Sequence, residues 1–404
     1  MTRRARTAPM FGHLGGAEVA VLTASVLVGG GILWFPSQLA LGAGGGVEVA
    51  YLAEFALEVA AAVAAVSVVR RHGGLRWAWV LERLVPKSLG RALALALAAL
   101  DVAVVAVTIT GSGVAVTSAF LTMTPSWAVE FALLATSAYS AALGVESLAR
   151  TLDLVAPVTW LGLVVEYALV ATQARSGAAL WPHVPHIGGW GAVWEGAYAG
   201  LWSLAGVSAV PNIAAHLASD QRPRVTSRVM SGVAISFLLQ SSLLLLDLAV
   251  MGVVGIVWYE WPTVSMLREI RSQAFLLNRT GALAVPLMVV LVWSFSAIML
   301  WNAAVLVRDA LHLGAMGEGG ASPVGPVHAA LRSGPVQVGT LAAAVYALSL
   351  VLGYGQALNE VTSTWLDPVV LVLVFALLPV LAVLDRMRRR VRNRPAAAGG
   401  PSGA

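Results

Sequence analysis

The sequence predicts an all-α integral membrane protein. It reads as ten transmembrane helices in two five-helix repeats of opposite orientation, with helices 1 and 6 broken. Three observations predict this. Of 404 residues, 58% are hydrophobic and 11% are charged, against about 25% charged in an ordinary soluble domain, and mean hydropathy is +0.82. The apolar residues gather into ten stretches punctuated by short basic clusters. The first stretch of each half carries a matching glycine–proline interruption.

This composition excludes a soluble globular domain, a disordered chain and a nucleic-acid binder. The pI is near 10.0, but the net charge is only +5 and sits in clusters between apolar runs, as in membrane proteins. The chain has no cysteine, which excludes disulfides, thiol catalysis and cysteine–metal sites. Lys87 is the only lysine.

The ten stretches cover 17–40, 46–69, 92–120, 126–144, 148–172, 192–215, 226–257, 281–311, 336–354 and 366–385, and are called spans 1 to 10. Most approach or exceed the roughly 20 residues a helix needs to cross a bilayer. Barrel strands, at roughly 10 residues with strict alternation, do not fit. Span 1 is not expected to be a cleaved signal peptide: no small-residue cleavage site precedes span 2, and the span contains Trp34 and Pro36.

Orientation follows from arginine and lysine. With a cytoplasmic N-terminus and ten alternating helices, 21 of the 25 basic residues fall on the cytoplasmic side. They include Arg3, Arg4 and Arg6, the 70–91 loop, the Arg222–Arg228 group and the run from Arg386 to Arg394. Only Arg175, Arg268, Arg271 and Arg279 fall outside. The expected organisation is a cytoplasmic N-terminus (1–16), a first repeat (17–172), an outer loop (173–191) and a second repeat (192–385). A basic and then disordered cytoplasmic tail (386–404) follows. Within the second repeat, 259–280 places Val264, Leu267, Ile270, Ala274 and Leu277 near one helical face. It reads as an amphipathic helix in the outer interface or as a plain connecting helix.

The interruptions are Gly29-Gly30-Gly31-Ile-Leu-Trp-Phe-Pro36 in span 1 and Gly206-Val-Ser-Ala-Val-Pro211 in span 6. Inside a helix, glycine costs about 1 kcal/mol and proline about 3, and proline removes a backbone donor. In hydrocarbon, unpaired backbone groups survive only where protein or a cavity satisfies them. Breaks at equivalent places in two halves are the mark of an inverted-repeat transporter. Freed N–H groups suit a carboxylate and freed carbonyls suit an ammonium group, so a zwitterionic amino acid satisfies both. Ordinary kinks are the competing reading.

Span 1, SVLVGGGILWFPSQLA, resembles the G-x-G-I-L-x-x-P opening of the GerAB-type spore germination permeases, within the amino acid–polyamine–organocation transporter superfamily. Trp261-Pro262-Thr263 followed by Arg268-Glu269-Ile270 resembles that family's W-P-T…R-E-I stretch between helices 7 and 8. The resemblance implies a LeuT-like fold, an amino-acid-type or similar small nutrient as germinant, and companion A- and C-type receptor subunits. Residence in the cell membrane or spore inner membrane is expected, with no cofactor, and composition already excludes a nucleic-acid partner. The expected function is a permease-like subunit of a germinant receptor. A free-standing proton- or sodium-coupled amino acid transporter is the alternative, and a membrane enzyme is disfavoured for lack of catalytic groups.

The expected substrate-binding residues are Gly29, Gly30, Gly31, Thr108, Ser203, Gly206 and Ser208. Thr110 lies beside Thr108, and Trp34 and Trp293 are candidate pocket walls. Ionisable groups within spans are read as functional by default. Glu54 and Glu58 share one face of span 2 and lead as ion-coupling residues, ahead of Asp101, Glu166 and Asp247. Helix-packing hydrogen bonds or interfacial snorkelling are the competing readings. A sodium site would combine span 1 carbonyls with Ser294 and Ser296 of span 8. The lysine that some proton-coupled relatives carry in helix 5 is absent, since Thr151 to Thr172 contains none. His183 and His186 read as a surface loop rather than a metal site. Gly111-Ser112-Gly113 reads as close helix packing.

Overall fold

Helix is the regular structure of this chain. The computed structural model describes residues 14–172, 189–259, 261–269, 280–311, 334–352 and 356–392. Among the described residues the sole β-type pairing is an isolated parallel bridge between Leu14 and Leu217. The helices are α1 (Gly16–Gly29), α2 (Phe35–Ala43), α3 (Val47–Arg71), α4 (Trp77–Leu84), α5 (Lys87–Ala119), α6 (Ser126–Ala142) and α7 (Val145–Ala171). After them come α8 (Trp190–Ala199), a 3-10 segment (Leu201–Ala209), α9 (Val210–Ala215), α10 (Val225–Trp258), α11 (Pro262–Glu269), α12 (Thr280–Ala310) and α13 (Gly334–Leu352). The last span is α14 (Gln356–Val361), α15 (Asp367–Val370) and α16 (Leu377–Arg392), joined by π-helical turns at Thr362–Leu366 and Leu371–Ala376.

Helix occupies each of the ten predicted stretches. Among the described residues, seven helical segments are long and apolar enough to cross a membrane, and Gly16–Gly29 and Leu201–Ala215 are shorter apolar helices. The protein is an integral membrane protein. Burial separates centre from periphery: the most apolar window of α12 is 83% buried inside the protein, whereas that of α13 is 28% buried. α12 packs on α5, α6 and α1, and α1 also packs on α10 and α7. At the periphery α7 exposes Leu154, Val158, Leu161 and Val165, which share one helical face.

Small residues let these helices approach. Gly111 lies against the Trp34 ring and Gly113 against the Glu130 side chain, as the close-packing reading of that triplet expects. α10 is kinked at Gly252, whose φ of +69° suits glycine alone. In the outer segment, Thr263, Val264 and Met266 of α11 are buried, and Thr263 donates to the Asp247 carboxylate at 3.1 Å. The rest of that segment, and the His183–His186 loop, lie outside the described residues.

At one end of the bundle the chain start is tied to the end of α9. Leu14 N donates to His216 O (3.1 Å), and Ala218 N donates to Leu14 O (3.0 Å). Gly16 N donates to the Gln221 side chain at 2.9 Å. Arg71, Arg76, Arg83, Arg222 and Arg224 belong to this same region of chain reversals, here called the basic end. α4 lies there with Trp77, Val80, Leu81 and Leu84 buried.

Candidate functional site

The first interruption runs from Gly30 to Trp34. α1 ends at Gly29, and α2 begins at Phe35 with Pro36 in its first turn, where a missing N–H costs nothing. Trp34 N and Phe35 N both donate to Gly31 O, at 2.9 and 2.8 Å, and Ser37 Oγ donates to Trp34 O at 2.8 Å. A helix end leaves carbonyls without partners, and one is met from elsewhere: Gln240 of α10 donates to Leu27 O at 2.9 Å. Within the interruption, Thr263 of α11 reaches Ile32 O at 3.5 Å.

The second interruption begins earlier than the Gly206–Pro211 motif places it. α8 stops at Ala199, and residues 201–209 wind as 3-10 helix before α9 resumes with Pro211 in its first turn. Trp202 N, at the start of the 3-10 segment, donates to Asp367 Oδ1 of α15 at 2.8 Å. A carboxylate therefore caps the reopened helix start.

The two interruptions meet. A Cβ on Gly30 would lie 2.7 Å from the Ser203 carbonyl oxygen and 2.7 Å from the Phe295 ring. Gly31 abuts the Ser203 side chain, Gly29 abuts the Leu291 carbonyl and Phe295 of α12, and Gly206 abuts the Val26 carbonyl. Trp34 and Trp202 stand edge to face with centroids 5.4 Å apart. Of the expected binding residues, Gly29, Gly30, Gly31, Ser203 and Gly206 thus lie together at one junction. Thr108 lies on α5 one turn before Gly111, which carries Trp34. The Thr108 and Thr110 hydroxyls are buried without a hydrogen-bond partner among the described residues. Trp293 instead turns to α6, donating to Ser140 Oγ at 3.1 Å.

Ser208 joins a different constellation. It donates to Asp101 Oδ1 at 2.8 Å, and Asn302 Nδ2 donates to Asp101 Oδ2 at 2.7 Å. Asn212 Nδ2 donates to Asn302 Oδ1 at 2.7 Å, and Trp77 N donates to Asn212 Oδ1 at 2.8 Å. All four polar side chains are buried. One continuous relay therefore joins the 3-10 segment, α5, α12, α9 and α4. Beyond it His216 bonds to Asn212 O at 2.8 Å, and burial pushes its imidazole down to about 4.

The expected ion-coupling residues divide. Glu54 and Glu58 are both buried on α3. The Glu54 carboxylate lies against Gly200 at the second interruption, so Glu54 and Asp367 flank the same junction. One oxygen each of Glu54, Glu58 and Asp367 has no hydrogen-bond partner among the described residues. The sequence reading does not single out Asp367, Gln240, Asn302 or Asn212. Gln240 and Asn302 stand as lone amides in apolar runs, which is the available signal. Ser294 donates back to Leu291 O of its own helix at 2.8 Å, while the Ser296 hydroxyl is buried without a partner among the described residues. Glu166 is buried on α7.

Two interrupted helices facing each other inside a helical bundle define a class, the LeuT-fold membrane permeases. The solved structure of MhsT in complex with L-phenylalanine is similar over 94% of this chain and 99% of that one, with a TM-score of 0.58 and 13% identity. A family model described as "Spore germination protein" matches residues 13–315, and the chain belongs to that spore permease family. No curated protein matches it.

Proposed function

We propose that this permease is the membrane subunit of a spore nutrient germinant receptor. It binds an amino acid or similar small nutrient where the span 1 and span 6 interruptions meet, and it works with companion A- and C-type subunits in the cell membrane or spore inner membrane. The observation that carries the proposal is the direct contact of Gly30 and Gly31 with Ser203. Backbone dipoles of two helix ends converge there, beside the Trp34–Trp202 pair. A zwitterion seated between them would bias the two halves toward one arrangement and so shift a receptor equilibrium. The family membership and the fold shared with an L-phenylalanine-bound protein support this reading.

One observation favours a second reading, a free-standing proton-coupled transporter. Glu54 and Asp367 bracket the span 6 interruption, where a proton on Glu54 would be coupled to the local backbone. Amino-acid uptake into liposomes by the purified protein, with and without a pH gradient, separates the two. The receptor reading expects a nutrient response that requires the companion subunits. Robust gradient-driven uptake by the lone protein, abolished in Glu54→Gln, replaces it with the transporter.

A further inference from the structure

A cleft of about 540 Å³ opens at the basic end between α3, α4 and α16, remote from the helix interruptions. Its walls carry four guanidinium groups, Arg71, Arg83, Arg388 and Arg389, beside His72, and a single carboxylate, Asp385. That carboxylate is already shared. Arg71 Nη1 lies 3.0 Å from Asp385 Oδ2 and Arg389 Nε 3.1 Å from Asp385 Oδ1, and His72 Nε2 lies 3.8 Å from Oδ1. Arg389 Nη2 also donates to Arg71 O at 2.7 Å. Arg71 and Arg389 are thus already engaged, while Arg83 and Arg388 are exposed and have no acidic partner among the described residues.

Glu82, the sequence neighbour of Arg83, is paired with Arg91 at 2.9 Å. Residues 1–13 and 393–404 contain no aspartate or glutamate, and 312–333 contains only Glu318. A second observation concerns the surface leading to the cleft. Val380, Val383, Leu384 and Met387 of α16 are exposed at a helical spacing that places them on one face. Arg388 follows Leu384 by one turn. An apolar lane thus runs along the helix and ends at uncompensated guanidiniums, the level at which hydrocarbon gives way to headgroups.

We propose that this cleft is a binding site for an anionic phospholipid, with its phosphate held by Arg83 and Arg388 and its acyl chains lying along the Val380–Met387 lane. Guanidinium is the side chain suited to phosphate, which it grips with paired donors, and basic pockets between helices at a membrane face favour anionic headgroups. The exposed lane distinguishes a lipid from a free phosphate, which has no use for it. The site ties α16, the end of span 10, to α4, whose Trp77 N–H anchors the buried relay.

The test uses the full chain in detergent, with lipid binding counted by native mass spectrometry and thermal stabilisation as a second readout. The probes are phosphatidylglycerol, phosphatidylcholine with the same acyl chains, and glycerol 3-phosphate. Wild type should retain phosphatidylglycerol and be stabilised by it, with little effect from the other two. Arg83→Ala/Arg388→Ala should bind phosphatidylglycerol at least about tenfold more weakly, and Arg83→Lys/Arg388→Lys, which keeps the charge but not the paired donors, should fall between the alanine pair and wild type. Arg150→Ala, which removes an exposed charge elsewhere, should change nothing. The proposal is overturned if the double alanine variant binds phosphatidylglycerol as wild type does. Equal binding of phosphatidylcholine, equal stabilisation by glycerol 3-phosphate, or an equal loss in Arg150→Ala would overturn it too. Should the alanine pair not fold, Arg388→Glu carries the same expectation.

Discussion

The relay through Asp101 makes a prediction that depends on hydrogen-bond direction and not on contact alone. Trp77 N is a backbone donor and cannot reverse, so Asn212 must present its oxygen to it. Asn212 Nδ2 then donates to Asn302 Oδ1, which forces Asn302 Nδ2 toward position 101. Residue 101 must therefore accept from Asn302. Toward Ser208 it has a choice, since a hydroxyl can accept as well as donate. Asp101→Asn can keep both bonds, with Oδ1 facing Asn302 and Nδ2 facing Ser208. Asp101→Ala loses both and strands two buried donors.

The magnitude follows from the environment. In water-soluble proteins an orphaned buried donor costs about 1–3 kcal/mol. Within a bilayer the unfolded reference also finds partners, and measured side-chain hydrogen bonds average about 0.6 kcal/mol with a maximum near 1.7. Two lost bonds place Asp101→Ala about 1 kcal/mol below wild type, with a ceiling near 3, and Asp101→Asn within about 0.5 kcal/mol of it. Thermal unfolding in detergent should rank wild type and Asp101→Asn together, above Asp101→Ala. Adding Asn302→Leu to Asp101→Ala should cost less than the sum of the two single changes, because the donor that was stranded is gone. Equal destabilisation by Asn and Ala, or strict additivity in that cycle, would refute the directional relay.

Three further outcomes are expected. Gly31→Leu and Gly206→Leu should each abolish the ligand response while the protein still inserts, since a Cβ there runs into Ser203 or the Val26 carbonyl; a normal nutrient response in both would remove the junction as the binding place. Gln240→Leu, which uncovers the Leu27 carbonyl, should lower stability by about 1 kcal/mol in detergent melts, more than Ser231→Ala on the exposed side of the same helix. His216 is held neutral by burial, at about 4 against 6.5 unfolded; the unfolded chain therefore takes up the proton first, and stability falls as pH drops from about 6.5 toward 4, a slope that His216→Gln should flatten in melts between pH 8 and 5.

What the sequence made legible is what leaves a local mark. Spans show as runs of apolar residues, and the first interruption shows because glycine and proline are rare where a helix must stay closed. The Glu54–Glu58 pair shows because residues four apart share a face. The second interruption was located only roughly, since its backbone changes winding at Gly200–Leu201, and a 3-10 stretch needs no special residue. Asp367 stands at the edge of span 10, where a charge reads as a boundary. The relay was invisible for another reason. Its members are 90, 107 and 201 positions apart, and no local spacing relates them.

The two interrupted spans are joined unequally along their length, and that bears on how the junction can open. At the level of the interruptions, Gly30 and Gly31 meet Ser203, and Gly206 meets Val26, by packing. The polar groups that cap the loosened ends come from elsewhere: Gln240 on α10, Thr263 on α11 and Asp367 on α15. At the basic end, by contrast, two backbone hydrogen bonds link Leu14 to His216 and Ala218, and Gly16 N bonds to Gln221. Van der Waals contact gives way gradually and has no direction, whereas a buried backbone hydrogen bond must be replaced when it breaks. Separating the spans is therefore cheapest at the glycines and dearest at the basic end. On the proposed reading, a nutrient seated between Gly31 and Ser203 would part a packing contact and would leave the Leu14–His216 hydrogen bond in place.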